Sequence, residues 1–162
     1  LTFLIAANAS VDIVGTDGRS RTIPIDQFTF GPYVTALEQG EVLTTIRVPI
    51  PSPGSRFSHS HVRFRERPAL TLTAAGVLSD RSLQNLTLVI GAIEGVPRRI
   101  DVEGTMGEGP YDVDAIEDLV RGSVEPMEDL DGSPAYKAHL AGVFAGRMVQ
   151  ELTSEHGQPI AK

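Results

Sequence analysis

Three strand-like segments, at about residues 57–66, 70–79 and 84–92, follow one another with very short links between them. The links are Arg67-Pro68-Ala69 and Asp80-Arg81-Ser82. A parallel crossover needs about a dozen residues or more, so this spacing predicts an antiparallel meander. No other feature of the 162 residues restricts the fold as much.

The flanking segments read differently on either side. Upstream, "ASVDIVG" and "RTIPI" are short strands around Asp17-Gly18, a dipeptide suited to tight hairpin turns. "DQFTFGPYVTALEQG" is rich in turn formers and is expected to be a loop that packs Phe28, Phe30 and Tyr33. "EVLTTIRVPIP" is a strand, dominated by β-branched residues and ended by Pro49 and Pro51. "SPGS" at 52–55 marks the best boundary between two lobes.

Downstream, "VPRRIDVEGTM" suggests a turn and a short helix. "DVDAIEDLVRGSV" has a helical period, with Asp112 or Asp114 as cap and Ile116, Leu119 and Val120 on one face. The clearest helix starts at a Ser133 cap followed by Pro134 and is expected to close at Gly157. Its apolar stripe is Tyr136, Leu140, Val143, Phe144, Met148 and Leu152. Strands first and helices afterwards give an α+β class.

Composition narrows the function. With 14 Lys and Arg against 21 Asp and Glu the formal charge is −7. A general nucleic-acid binder spreads excess positive charge over a face, so that class is disfavoured. There is no cysteine, which excludes disulfides, thiolate metal sites and a cysteine nucleophile, and fits a reducing, cytoplasmic compartment. No apolar run approaches the roughly 20 residues of a membrane-spanning helix. The opening "LTFLIAANASVDIVG" lacks the basic start of a signal peptide and reads as the interior of a longer protein.

Against this acidic background one segment stands apart. In "HSHVRFRERPALTLTAAGVL" the odd positions from Phe57 read Phe57, His59, His61, Arg63, Arg65, Arg67. Residues two apart share a face of a strand, so the positive charge is expected on one side. Two readings stay open: a solvated sheet face with acidic neighbours, or an anion site built on the planar arginine fork. A metal site at His59 and His61 is disfavoured. It needs a third ligand, while His139 and His156 lie on or near a remote helix. The acidic run at 125–133 lacks the ligand spacing of a calcium loop. Nothing in the chain matches a nucleophile elbow or a Gly-rich loop leading into a helix.

Four blocks, in order, resemble the FAD-binding medium subunits of molybdenum hydroxylases of the carbon monoxide and xanthine dehydrogenase type. They are "L-x-x-G-E-x-L-x-x-I-x-V-P" at 37–49, "R-F-R-x-R" at 63–67, "G-A-x-x-x-V-P-R" at 91–98 and "D-G-S-x-A-Y-K" at 131–137. The resemblance implies part of a second FAD-binding subdomain over residues 1–54. A C-terminal lobe with a three-stranded antiparallel sheet and helices would follow over 55–162. It also implies cofactor contacts: Leu43 near the isoalloxazine with Val42 beside it, and Arg63 as the flavin-side cation. Leu72 falls where some members place an aromatic residue over the ring, and Thr71 where an acidic residue is usual; both are departures.

The family's pyrophosphate loops, of the "A-G-G-x-S" and "T-x-G-G-N" type, do not occur in this sequence. The chain is therefore expected to begin inside the second subdomain and to bind FAD weakly or not at all by itself. The implied function is electron relay from an iron–sulfur subunit, itself fed by a molybdopterin subunit, through FAD to an acceptor. The alternative is an assembly module that docks onto partner subunits without flavin.

Overall fold

The computed structural model describes residues 1–80 and 82–154. Arg81 in the second link, His156 and the expected helix stop Gly157 lie outside the described residues.

Alternation of apolar and polar side chains builds the first sheet. Strand β1 (Ser10–Val14) pairs antiparallel with β2 (Ser20–Pro24) on one side and β5 (Val42–Arg47) on the other. The β1–β2 turn holds Gly18 at φ +78°, a left-handed conformation that favours glycine, while Asp17 accepts a hydrogen bond from the Arg19 amide. Val11 and Ile13 are fully buried. Between β2 and β5 the chain forms a 3₁₀ turn (Ile25–Gln27) and a small hairpin, β3 (Thr29–Gly31) with β4 (Val34–Thr35). The expected packing of aromatics holds for Phe28, which lies against the small core. It fails for Phe30 and Tyr33, which are 66% and 87% exposed because the hairpin lifts them away from the sheet.

The apolar opening segment forms a short helix, α1 (Thr2–Ala6), instead of continuing the β pattern. Ile5 and Ala6 join Val11, Ile13 and Ile25 in a cluster that also takes in Ala75 and Val89 of the larger sheet. Arg99 donates to the Ile5 carbonyl and to Asn8 Oδ1, tying the end of α1 to that sheet.

The larger sheet has the order β6-β7-β8-β9, antiparallel throughout. Its members are β6 (Ser55–Arg63), β7 (Pro68–Ser79), β8 (Ser82–Gly91) and β9 (Arg98–Asp101). The meander predicted from the short links is present, and β9 adds a fourth strand where a turn was expected. Helices α2 (Val102–Met106), α3 (Val113–Ser123) and α4 (Pro134–Thr153) complete the chain. Asp112 and Ser133 cap α3 and α4 by accepting from the Asp114 and Tyr136 amides.

The uncharged run after the arginines now has a physical cause. Leu70, Leu72 and Ala74 point into the core shared with Ile116, Val120, Ala145 and Met148. Ala75 belongs to the cluster under α1. A strand buried on both faces leaves no position for charge. On α4 the buried side differs from the predicted stripe. Met148 and Leu152 are buried as expected, but Tyr136 is largely exposed, and Ala141, Gly142, Ala145 and Gly146 fill the contact instead. A Cβ on Gly142 would sit 2.8 Å from the Glu117 carbonyl oxygen of α3, and one on Gly146 2.8 Å from Val113 Cγ1. Small residues here let two backbones approach closely.

Candidate functional site

The predicted row of positive side chains holds only as far as β6 runs straight. Phe57 packs on Phe3 of α1, with ring centroids 5.6 Å apart. The register shifts between Val62 and Arg63, the strand ends at Arg63, and residues 64–67 bend. That bend sends the last two arginines to different places. Arg65 Nε lies 3.8 Å from Asp131 Oδ1, whereas the Arg67 guanidinium stands 6.0 Å over the Tyr33 ring. Arg63 is exposed and has no carboxylate partner among the described residues.

Two of the sequence blocks therefore meet in space. The Arg65–Asp131 pair joins "R-F-R-x-R" to "D-G-S-x-A-Y-K", and the Phe64 and Tyr136 rings lie 6.4 Å apart. Lys137, only 1% exposed, donates to the Met127 carbonyl at 2.8 Å and reaches Asp129 Oδ1 at 2.6 Å. A buried ammonium needs such partners. Its charge holds the Asp129 carboxyl below the usual range, helped by the Asp131 amide.

The block at 91–98 turns the chain at the end of β8. Glu94 accepts from Arg98 Nε and Nη2 and from the Glu125 amide at 2.7 Å, while the Ile93 carbonyl accepts from Met127. The 37–49 block is organised by Glu41, which accepts from Arg21 Nε and Nη2 and from the Glu38 amide. Arg21 chiefly, then the Glu38 amide, lowers the Glu41 pKa to about 2.

The turn at 91–98 and the β3–β4 hairpin shape an open cleft of about 570 Å³ beside the N-terminal end of α1. Pro32, Tyr33 and Met127 contribute apolar surface; His59, Arg67 and Thr71 contribute polar atoms. Clefts of about 300–1,000 Å³ with a few convergent polar groups suit small ligands and cofactor rings. Gly91 keeps the floor open: a Cβ there would lie 2.9 Å from both Thr2 Cγ2 and Thr71 Oγ1. His59 Nδ1 is 2.8 Å from Thr73 Oγ1, and Thr73 donates onward to Thr2 Oγ1 at 3.1 Å. Partial burial, with His61 beside it, pushes the His59 pKa down.

The four residues singled out from sequence occupy other positions. Val42 is 58% exposed on the outer face of β5, while its neighbour Leu43 faces inward onto the small core. Alternation along the strand puts the two on opposite faces. Leu72 is fully buried on the side of β7 that meets the helices. None of Val42, Leu43, Arg63 and Leu72 lines the cleft. Sequence reasoning missed His59, Arg67 and Tyr33 as cleft residues. The odd-position count contained His59 and Arg67, but nothing local tied Tyr33, from the β3–β4 hairpin, to them.

Comparison with known proteins gives this arrangement a context. Residues 1–51 match the family model described as FAD binding domain in molybdopterin dehydrogenase. The carbon monoxide dehydrogenase medium chain of Hydrogenophaga pseudoflava is 30% identical over 151 residues, covering 88% of this chain and 52% of that protein. The xanthine dehydrogenase FAD-binding subunit of Escherichia coli O157:H7 is 25% identical over 146 residues, covering 85% and 50%. The chain thus spans about half the length of the curated relatives it matches. Among solved structures, carbon monoxide dehydrogenase from Hydrogenophaga pseudoflava superposes with a TM-score of 0.81 at 25% identity, covering 90% of this chain and 53% of that one. By sequence and by fold, this chain is homologous to the FAD-binding medium subunits of molybdenum hydroxylases.

Proposed function

We propose that this chain supplies one wall of the FAD site in the medium subunit of a molybdenum-hydroxylase-type oxidoreductase. Residues 1–54 would belong to the second FAD-binding subdomain and 55–162 to the C-terminal lobe. The observation that carries the reading is the cleft beside α1, whose size and mix of Tyr33, Met127, His59, Arg67 and Thr71 suit an isoalloxazine ring. Bound there, the flavin would supply the redox chemistry, and the protein its orientation and electrostatics. Arg63 and Val42 stand outside that cleft and would meet other parts of the cofactor in the complete subunit, Arg63 with positive charge and Val42 with an apolar contact. Leu43 and Leu72 would hold their strands in place from the core side. In the whole complex, located in the cytoplasm, electrons would pass from a molybdopterin subunit through an iron–sulfur subunit to this flavin and then to an acceptor.

The chain alone is expected to bind FAD weakly, since the wall carries no pyrophosphate loop. Flavin fluorescence titration tests this; stoichiometric binding below a micromolar dissociation constant would overturn it. In the complete subunit, Arg63→Ala is expected to shift the flavin absorbance. A variant that alters only subunit association would favour the assembly reading. That second reading draws on one observation. Phe64, Leu130 and Tyr136 leave apolar surface exposed around the Arg65–Asp131 pair, a composition found at protein interfaces.

A further inference from the structure

The hydroxyl chain behind His59 determines which of its ring nitrogens carries the proton. Thr73 Oγ1 is fully buried and donates its hydrogen to Thr2 Oγ1, itself buried. Thr73 can then only accept from His59, so Nδ1 holds a hydrogen and the neutral ring keeps its lone pair on Nε2. His59 is also one of the residues that form the cleft wall. We propose that His59 is a proton-binding residue of the cleft, held in the Nδ1–H tautomer by Thr73 and Thr2, whose Nε2 takes a proton from solvent when an anionic ring lies in the cleft. The proposal deepens the flavin reading and rests on it: the ligand class is a reduced, anionic isoalloxazine.

The charges around His59 agree with such a role. His61 opposes protonation, and partial burial keeps the ring neutral more readily than a solvated one. Arg67 on the same wall adds positive charge, and Glu94 across the cleft is already engaged by Arg98. Among the described residues lining the cleft, then, no unpaired carboxylate stabilises the imidazolium. An incoming negative charge within about 4–6 Å reverses that balance. Thr73 and Thr2 act through His59 and are positioning residues.

The experiment uses the 162-residue chain uniformly labelled with ¹³C and ¹⁵N. Nuclear magnetic resonance is expected to show His59 with a protonated Nδ1 and a free Nε2 above its pKa. Thr73→Val should lose that preference, and Thr73→Ser should retain it; a His59 protonated at Nε2 in the unchanged chain would overturn the proposal. Millimolar FMN is then added, oxidised or reduced with dithionite. Reduced FMN should raise the proton affinity of His59 about tenfold, and oxidised FMN, which carries the same phosphate, should leave it nearly unchanged. If the Tyr33 and Thr71 signals do not respond to either form, the flavin reading fails and the proposal with it. If they respond and the His59 affinity stays constant, the proposal alone falls.

Discussion

Glu41 illustrates how a block that looks functional in sequence can do its work through structure. Its carboxylate holds Arg21 and the Glu38 amide together, which sets the turn leading into β5 and hence where Val42 and Leu43 point. Its folded pKa of about 2 lies below the ordinary value of 4.5. The unfolded state therefore binds the proton more tightly, and the stabilisation is complete above about pH 4.5. It is lost as pH falls toward 2. Chemical denaturation between pH 5 and pH 2 should show Glu41→Gln with a flatter acid limb than the unchanged chain, and a lower stability at pH 7. Parallel acid limbs would remove Glu41 from that account. The same scale separates Val42 from Leu43: a strand turns neighbours to opposite faces, so Val42 stands exposed while Leu43 packs onto the small core.

At the scale of elements, α3 and α4 approach closely. Gly142 has the Glu117 carbonyl 2.8 Å from where its Cβ would stand, whereas Gly122 on α3 has nothing within 4 Å. Replacing a helical glycine by alanine stabilises by about 1 kcal/mol when space allows. Gly122→Ala is accordingly expected to gain about 0.5–1 kcal/mol. Gly142→Ala should instead lose about 1–3 kcal/mol, because a backbone oxygen cannot move aside as a side chain can. Urea denaturation of the two variants reads the difference directly; equal effects would mean the helices are not in close contact. The large apolar residues of α4 were legible as a period of three and four. Its small-residue face was not, since alanine and glycine carry little hydropathy signal and matter only for how near a partner can come.

At the scale of the whole molecule, two sheets share one buried cluster. Ile5, Val11 and Ile13 from the first unit meet Ala75 and Val89 of β7 and β8, and Arg99 clamps the end of α1. The residues on either side of the 52–55 segment are thus packed against each other. Thermal unfolding should be a single transition by near- and far-ultraviolet circular dichroism. Ile5→Ala, which empties a site at that junction, should lower stability by about 2–5 kcal/mol without splitting the transition. Two separate transitions would show that the shared cluster does not couple the units.

The order of elements, the antiparallel meander, the helix caps at Asp112 and Ser133, and the family resemblance are all determined by local pattern: link length, periodicity and capping chemistry act between residues close in the chain. The cleft is different. Tyr33 stands over Arg67, and Thr2 orients His59 through Thr73, across separations of 34 and 57 residues. The bend after Arg63 that separates Arg65 from Arg67 follows from a register shift against β7. Such contacts arise only when distant segments pack, so the amino-acid order alone supplied the strand with its histidines and arginines, and the tertiary structure decided which of them line the cleft.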